Sequence, residues 1–195
     1  MAPAPAAIAI EGHAIVSADG MIAAADGSMP AALMNDADWR LFQAALDRAE
    51  LVVLGRIGHR RHPNPGRRRL VLTRSVTGLI VDPDDRCAHF WNPEHVTFNH
   101  VAGLLGISGG TVAVTGGTGV FDHFLGIGYA RFVLSTARRV VIPQGRPCFG
   151  SGLPGTVLAG HGLQVSAETL IDPRADVTMA VWQRDIVTPL TRSTL

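Results

Sequence analysis

Two apolar runs that end in glycine constrain the fold of this chain more than any other feature. Residues 51–54 (LVVL) are followed by Gly55-Arg56, and residues 111–115 (TVAVT) are followed by Gly116-Gly117. Apolar residues at every position, rather than at alternate positions, are typical of a strand that is covered on both faces. Such strands belong to parallel sheets with helices on both sides. The sequence therefore predicts an α/β fold.

The rest of the chain alternates between strand and helix patterns up to residue 125 and then continues as strands. Strands are predicted at residues 7–16, 51–54, 69–73, 79–81, 87–91, 111–115, 130–136, 139–142, 155–159, 163–170 and 177–183, with a bridge near 21–23. Helices are predicted at residues 36–48, capped by Asn35 or Asp36, and at 93–107 and 120–125. This order indicates a central mixed, mostly parallel sheet flanked by helices, with antiparallel strands at the C-terminal end. One domain is expected over residues 1–195, with a flexible tail at 1–6.

Composition excludes several classes of protein. A chain of 195 residues can bury a core without disulfides or metals. The net charge of +1 gives no global signal for nucleic acid or membrane partners. No apolar run approaches the roughly 20 residues of a membrane span, and the N-terminus lacks the basic segment of a secretory signal, so the cytoplasm is expected. Two cysteines without C-x-x-C spacing and eight histidines without ligand spacing predict no metal site.

The turn after residues 111–115 has the form of a nucleotide site. Glycines between a buried strand and a helix let backbone N–H groups approach a pyrophosphate at the helix N-terminus. Gly116-Gly117-Thr118-Gly119 is too compressed for the G-x-G-x-x-G fingerprint, and no G-K-[ST] follows as in a P-loop. An ordinary strand–helix connection is the alternative.

A cluster of basic residues follows the first glycine turn. Six arginines and two histidines lie between Arg56 and Arg69, with no acid among them. Guanidinium groups at strand ends match the geometry of phosphate, which favours this role for Arg56 and Arg74. For Arg60, Arg61 and Arg67 a solvated basic loop is favoured. A nucleic-acid surface is a further alternative, whose signature would be a steep dependence of affinity on salt.

Three ordered motifs resemble the dihydrofolate reductase superfamily. The first runs from Val52-Val53-Leu54-Gly55-Arg56 to Pro65-Gly66-Arg67 and Leu70-Val71-Leu72-Thr73-Arg74, and the second joins Val114-Thr115-Gly116-Gly117 to Val120-Phe121-Asp122-His123-Phe124-Leu125. The third, Ser17-Ala18-Asp19-Gly20-Met21-Ile22-Ala23, is closer to the reductase (C-terminal) domain of riboflavin-biosynthesis deaminase-reductases. The resemblance spans about residues 8–184. The deaminase signature itself is absent.

This resemblance implies a dihydrofolate reductase-like three-layer fold, NADPH as hydride donor and a homodimer. By position it implies cofactor contacts from Gly55, Arg56, Thr73, Arg74, Ser75, Gly116, Gly117, Thr118, Gly119 and Val120. Two residues depart from the family pattern. Gly58 stands where the family carries a phosphate-binding threonine, and Thr118 stands where it carries a third glycine.

The proton donor has more than one candidate. Reduction of a C=N bond needs a proton source, usually one carboxyl group in an apolar pocket. The resemblance points to Asp38, four residues before Phe42, while Asp36 and Asp38 could instead serve the helix N-terminus. The first interpretation of Asp19 is that it forms a turn with Gly20. In the riboflavin-type reductases, however, this loop lies beside the nicotinamide and the substrate. Asp38 and Asp19 are thus the candidate catalytic residues, and Ser17, Asp19, Asp38 and Phe42 the candidate substrate contacts.

The sequence therefore predicts an NADPH-dependent reductase that transfers hydride to a C=N or C=O bond of a small heterocyclic or ribityl-type substrate. Dihydrofolate reductase activity proper is less favoured, because residues 21–34 lack the Asn-x-x-x-Pro-Trp pattern of that enzyme. The alternative is a nucleotide-binding or regulatory module that has the same fold but no turnover. Binding of NADPH without its oxidation would distinguish that module from the enzyme.

Overall fold

Nine strands form one mixed sheet in the computed structural model, which describes residues 7–62 and 64–184. Their order is β10-β11-β8-β1-β7-β3-β4-β6-β5, and the six strands from β8 to β6 are parallel. β5, β10 and β11 pair with their neighbours in antiparallel fashion. The bounds are β1 Ile8–Ser17, β3 Leu51–Gly55, β4 Arg69–Leu72, β5 Leu79–Val81, β6 Ala88–Trp91, β7 Gly110–Val114, β8 Arg131–Ala137, β10 Gln164–Asp172 and β11 Val177–Gln183. The predicted tail at 1–6 lies outside the described residues.

Five helices and a small second sheet complete the described fold. The helices are α1 Asp36–Asp47, α2 Arg56–Arg61, α3 Phe98–Leu104, α4 Thr118–Ile127 and α5 Pro154–Gly160, with a 3-10 turn at Ala31–Leu33. β2 (Met21–Ala23) pairs with β9 (Arg146–Pro147) outside the main sheet. None of the helices in the described residues is long and apolar enough to span a membrane.

The apolar runs divide their side chains between the two faces of the sheet. On β3, Leu51 and Val53 join the large core beneath α3, α4 and α5. Val52 and Leu54 pack on the other face with Leu46 of α1. Residues 51–54 of β3 are therefore all buried, as the continuous apolar run predicts, and the three-layer α/β/α fold is confirmed.

Two predicted strands are wrong. Residues 155–159 lie in α5. Pro154 occupies the first turn of this helix, where no N–H is needed for the helical hydrogen bonds. Val157 and Leu158 follow three and four residues later on the same helix face and pack in the core. Residues 139–142 form no strand. Val140 N closes a turn on Ala137 O at 3.1 Å, and Ile142 N donates to a side chain instead of a neighbouring strand.

Two helix predictions also need correction. The helix predicted over 93–107 begins only at Phe98, because Thr97 caps it and residues 92–96 form a turn on Asn92. The segment after Gly55, predicted as a loop, starts with α2. By contrast, the helix predicted over 36–48 is confirmed. Its N-cap is Asn35, whose side chain accepts from Ala37 N and Asp38 N.

Candidate functional site

The two glycine turns lie side by side in the structure. β3 and β7 are neighbouring parallel strands, so their carboxyl ends meet at one edge of the sheet. Gly55 N donates to Gly116 O at 3.2 Å, and Thr115 N donates to Val53 O at 2.9 Å. Sheets of this kind bind ligands outside the carboxyl ends of their strands.

A cavity of about 890 Å³ opens at these strand ends. Its wall includes both glycine turns, the face of α1 that carries Asp38 and Phe42, and the sheet residues His13 and Arg131. Cavities that hold small molecules and cofactors range over about 300–1,000 Å³. The space is therefore sufficient for a nucleotide together with a small substrate.

The turn between β7 and α4 forms one side of this cavity. Gly116 and Gly117 have φ values of 143° and 92°, in the region where only glycine is unstrained. Gly117 is the N-cap of α4 and supplies no side-chain cap, so the first N–H groups of the helix are free of side-chain partners. A Cβ on Gly116 would meet nothing within 4 Å, which shows open space above the turn. Such a cradle fits a pyrophosphate.

The turn between β3 and α2 forms the second side. Arg56 lines the main cavity and also a smaller depression of about 500 Å³, which Leu72, Thr73, Arg74 and Ser75 complete. The Thr73 and Ser75 hydroxyls lie 2.9 Å apart. Two guanidinium groups and two hydroxyls suit a phosphate group. All ten residues predicted to bind the cofactor thus line one of these two spaces, which share Arg56 and Leu72 in their walls. Their role in binding is a prediction.

Thr118, which replaces the expected third glycine, has a structural contact of its own. Its hydroxyl donates to Pro147 O at 2.5 Å and so joins the start of α4 to β9. Gly58, which replaces the expected threonine, lines the cavity and has room for a side chain, since its nearest neighbour would be Leu54 Cδ1 at 3.7 Å. Neither departure distorts the turns.

Asp38 lies on the cavity-facing side of α1. Burial raises the pKa of Asp38 above its usual value, while a hydrogen bond from the Ser135 hydroxyl and the nearby His13 lower it in part. A carboxyl group with a raised pKa is suited to hold and donate a proton. Phe42, one turn further along α1, lines the cavity and packs edge-on against His13 with ring centroids 6.3 Å apart.

A polar cluster that was not predicted from the sequence lies on the sheet opposite α1. Glu11 and His13 project from β1, and Arg131 projects from β8, where it is the register partner of Glu11. The Glu11 carboxylate lies 3.6 Å from His13 Nε2 and 3.4 Å from Arg131 Nη1. The close imidazole of His13, followed by the charge of Arg131, lowers the pKa of Glu11 against its burial. Polar residues at alternate positions of an apolar strand were the only signal for this cluster.

Ser17 and Asp19 are engaged in the turn after β1. The Ser17 hydroxyl donates to Asp19 Oδ1 at 2.5 Å and accepts from Met21 N at 2.9 Å. Asp19 also accepts from Ile142 N at 3.1 Å. These hydrogen bonds, that from Ser17 first, lower the pKa of Asp19. Neither residue is part of the cavity wall, so the geometry favours Asp38 over Asp19 as proton donor.

Three of the six arginines in the basic cluster make internal contacts. Arg67 pairs with Asp47 of α1 and donates to Gln43 at 2.9 Å, Arg68 donates to Leu105 O, and the fully buried Arg69 pairs with Asp85. Arg67 is therefore not the solvated residue that was expected. Arg61, for which the solvated loop was also favoured, lines the cavity. Arg60 is exposed, as expected.

Neither cysteine is part of the cavity wall. Cys87 and Cys148 are free, and burial raises the pKa of the Cys148 thiol far above its usual value. Within residues 7–62 and 64–184, no group of three or more His, Cys, Asp or Glu side chains is arranged to hold a metal ion.

Comparison with known proteins gives matches in structure alone. No protein-family model and no curated protein sequence matches the chain. A Shewanella sp. PV-4 protein described as a riboflavin biosynthesis protein aligns with a TM-score of 0.65 and 16% identity, over 90% of this chain and 98% of that one. Enterococcus faecalis dihydrofolate reductase, complexed with NADP(H) and RAB-propyl, aligns with 0.63 and 16%, over 91% and 96%.

A third match is a Thermotoga maritima diaminohydroxyphosphoribosylaminopyrimidine deaminase/5-amino-6-(5-phosphoribosylamino)uracil reductase. Its TM-score is 0.64 with 14% identity, over 91% of this chain and 57% of that longer protein. At such identities the likeness concerns the fold. The architecture that the sequence motifs implied is confirmed: this chain has the dihydrofolate reductase fold, which it shares with dihydrofolate reductase and with proteins of the riboflavin-biosynthesis type.

Proposed function

We propose that this protein is an NADPH-dependent reductase that transfers hydride to a C=N or C=O bond of a small heterocyclic or ribityl-type substrate. The observation that carries the proposal is the meeting of the two glycine turns at one end of a cavity whose wall also holds Asp38. Backbone N–H groups, two arginines and one carboxyl group with a raised pKa are the components that such a reaction needs.

The cofactor's diphosphate would lie on the Gly116-Gly117 turn. That turn offers the N-terminus of α4 and open space above Gly116. The additional phosphate of NADPH would lie in the depression between Arg56 and Arg74, since guanidinium groups bind phosphate oxygens in pairs. NADPH would supply the hydride; the chain itself provides its position and the proton.

Asp38 would hold the reacting part of the substrate and donate the proton. Its carboxyl group is partly desolvated, which raises its pKa and favours the protonated form. Phe42 and Ile22, which also line the cavity, would pack on a planar ring and exclude water.

Cofactor binding is tested first, by calorimetry with NADPH and NADH. We expect NADPH to bind at least tenfold tighter, and Arg56→Ala or Arg74→Ala to weaken NADPH binding roughly tenfold each while leaving NADH unchanged, because a charge-assisted hydrogen bond is lost. Arg60→Ala is the matched control: Arg60 is exposed on the same helix and is not part of either wall. Absence of binding for both nucleotides would refute the proposal.

Turnover is tested by NADPH oxidation with dihydrofolate and with 5-amino-6-(5-phosphoribosylamino)uracil. We expect the second to be the better substrate, because the loop at residues 21–34 lacks the pattern of dihydrofolate reductase. Binding of NADPH with no oxidation by either compound would instead support the module without turnover.

A homodimer is part of the same proposal. β10 lies at the edge of the described sheet, and its Val165 and Leu170 are about half exposed. An exposed apolar edge strand is a ready surface for pairing with a second copy. Light scattering on the purified protein would give the mass of one chain if this expectation is wrong.

A further inference from the structure

Helix α2 has little of the packing that normally holds a helix in place. It has six residues, none of which is buried, and its N-cap Gly55 provides no side-chain hydrogen bond. Its one large apolar side chain, Ile57, is 41% exposed. A helix this short has no stability of its own in water. Yet its first and last residues, Arg56 and Arg61, line the cavity, so the shape of the cofactor side depends on it.

A buried polar contact joins α2 to the edge of the sheet. His59 Nε2 lies 2.9 Å from Asp82 Oδ2, and the two side chains are 13% and 7% exposed. Asp82 follows β5 directly and is itself well fixed. Its backbone N–H donates to Ala88 O at 2.9 Å, and its Oδ1 accepts from Asp84 N at 3.0 Å. The contact therefore ties α2 to a rigid hairpin at the edge of the sheet.

The geometry of the His59 ring makes this contact specific. A carboxylate only accepts, so Nε2 is the nitrogen that carries the shared hydrogen. The other nitrogen, Nδ1, is buried and has no hydrogen-bond partner among the described residues. The ring packs edge-on against Phe90 of β6, with centroids 5.8 Å apart. Among the described residues, the hydrogen bond that orients the ring is the one to Asp82.

We propose that His59 and Asp82 are positioning residues that hold α2, and with it Arg56, in the place required for cofactor binding. The second half of this inference rests on the proposed function. Neither residue lines the cavity, so both act through α2. The neighbouring Asp85 is not equivalent to Asp82, because it is paired with the buried Arg69.

The inference predicts which property of the enzyme should change. The contact is on the cofactor side, whereas Asp38 is on α1. Loss of the contact should therefore raise the Kd and KM for NADPH but leave kcat at saturating NADPH unchanged. A general loss of structure would lower kcat and the melting temperature as well.

The test compares His59→Ala with His59→Gln, whose side-chain amide can place a donor near the position of Nε2. Asp82→Asn keeps the acceptor for Asp84 N but removes the charge and places its amide NH2 opposite His59 Nε2, which then accepts the hydrogen bond in the other ring tautomer. His95→Ala, at an exposed histidine, is the control. The readouts are calorimetry with NADPH and amide hydrogen exchange of the peptide that spans residues 56–62, with the peptide of α3 as internal reference.

We expect His59→Ala to speed exchange in α2, where His62 N donates to Gly58 O, at least tenfold, and to weaken NADPH binding roughly tenfold. His59→Gln should stay within about threefold of the wild type, and Asp82→Asn should lie between the two, since a charged hydrogen bond is replaced by a neutral one. The α3 reference should not change in any of these variants.

The outcomes separate the two proposals. Unchanged exchange in α2 of His59→Ala would refute the positioning role. Faster exchange with unchanged NADPH affinity would show that α2 is held by this contact but does not set binding, which overturns the inference as stated. A wild-type protein that binds no NADPH would overturn the proposed function, while the exchange data would still decide whether His59 holds α2.

Discussion

The two ends of the cavity are built in different ways. At the cofactor end the Gly116-Gly117 turn supplies backbone groups between a buried strand and a helix with four buried residues, and Arg56 and Arg74 add side chains. At the substrate end the functional groups are side chains from three elements, Asp38 on α1, His13 on β1 and Arg131 on β8. The first end is fixed by backbone conformation, and the second by the register of β1 on β8.

This difference has an energetic consequence. Backbone N–H groups need no protonation, so the Gly116-Gly117 turn itself should add little pH dependence to cofactor binding. The substrate end contains carboxyl groups whose pKa values are shifted in opposite directions, Glu11 down and Asp38 up. Substitutions at one end should therefore change affinity for NADPH, and substitutions at the other end should change turnover and its pH dependence.

The largest effect is expected from Asp38→Asn. We expect kcat/KM to fall by about 10²–10³-fold, because the proton donor is lost, with the Kd for NADPH within about twofold of the wild type. In the wild type, kcat should fall as the pH rises through the raised pKa of Asp38, since the protonated carboxyl is the donor. The variant should lack this alkaline limb of the pH–rate profile. A large change in NADPH affinity would show that the two ends are not separate.

Although Asp38→Asn should lower activity, it should raise the stability of the fold at neutral pH. The pKa of Asp38 is raised in the folded state, so its contribution to stability is present below the unfolded value and is lost as the pH rises through the folded value. Asp38→Asn should therefore melt at a higher temperature than the wild type at pH 7. The difference should vanish below the ordinary aspartate pKa of 3.8. Equal melting temperatures at pH 7 would contradict the raised pKa.

At the cofactor end the largest effect is expected from Gly117→Ala. The Cβ itself has room, with Val120 Cγ2 at 3.5 Å, but a φ of 92° is strained for alanine, at a cost of about 1–2 kcal/mol. NADPH affinity should fall about tenfold or more as the turn relaxes, while kcat at saturating NADPH stays the same. Calorimetry and urea unfolding measure the two effects. The control is Gly126→Ala in the same helix, which has open space and should gain up to about 1 kcal/mol.

The contrast between the two ends also explains what could be predicted from the sequence. The ten candidate cofactor residues line two adjoining spaces because each follows a buried strand, and that signal is local. The approach of Glu11 to Arg131 depends on a strand pairing 120 residues apart in sequence, which no local pattern encodes. Arg67 shows the same limit, since its partner Asp47 belongs to a different element.

In the fold prediction too, elements that leave a local sequence pattern were predicted and elements that leave none were missed. The continuous apolar runs are confirmed as central strands because burial on both faces leaves a pattern in the sequence. The strand prediction at residues 155–159 was wrong because a seven-residue helix and a short strand give similar apolar patterns. Pro154 favours the helix, since proline is well tolerated in the first helical turn. α2 was missed because none of its residues is buried, so no apolar period marks it.

A smaller effect, an increase in NADPH affinity, is expected from Gly58→Thr. The resemblance to the superfamily places a phosphate-binding threonine at this position, and the nearest atoms to a new Cβ are 3.7 and 4.0 Å away, both in Leu54. We expect NADPH to bind about threefold to tenfold tighter through an added hydrogen bond to a charged group. Gly58→Val is the control of similar shape without the hydroxyl. If the two variants bind NADPH equally, the hydroxyl does not reach a phosphate.

The smallest effect is expected from His13→Leu, at the substrate end. His13 is one of two groups that lower the pKa of Asp38 against its burial, the Ser135 hydroxyl being the other. Removing the ring should raise the pKa of Asp38 further and move the alkaline limb of kcat to higher pH. Because leucine fits a buried position and leaves no unpaired nitrogen, the protein should stay folded.

Two further observations would place this effect at the substrate end. Glu11 loses the nearby His13 imidazole, so its pKa should return towards the ordinary value, which carboxyl NMR signals can follow. NADPH affinity should not change, and kcat/KM at pH 7 should change less than tenfold, since the donor itself is retained. A limb that moves to lower pH would mean that burial of Asp38, rather than the charge of His13, responds to the substitution. The protonation of Asp38 would then depend on how closely α1 packs on β1.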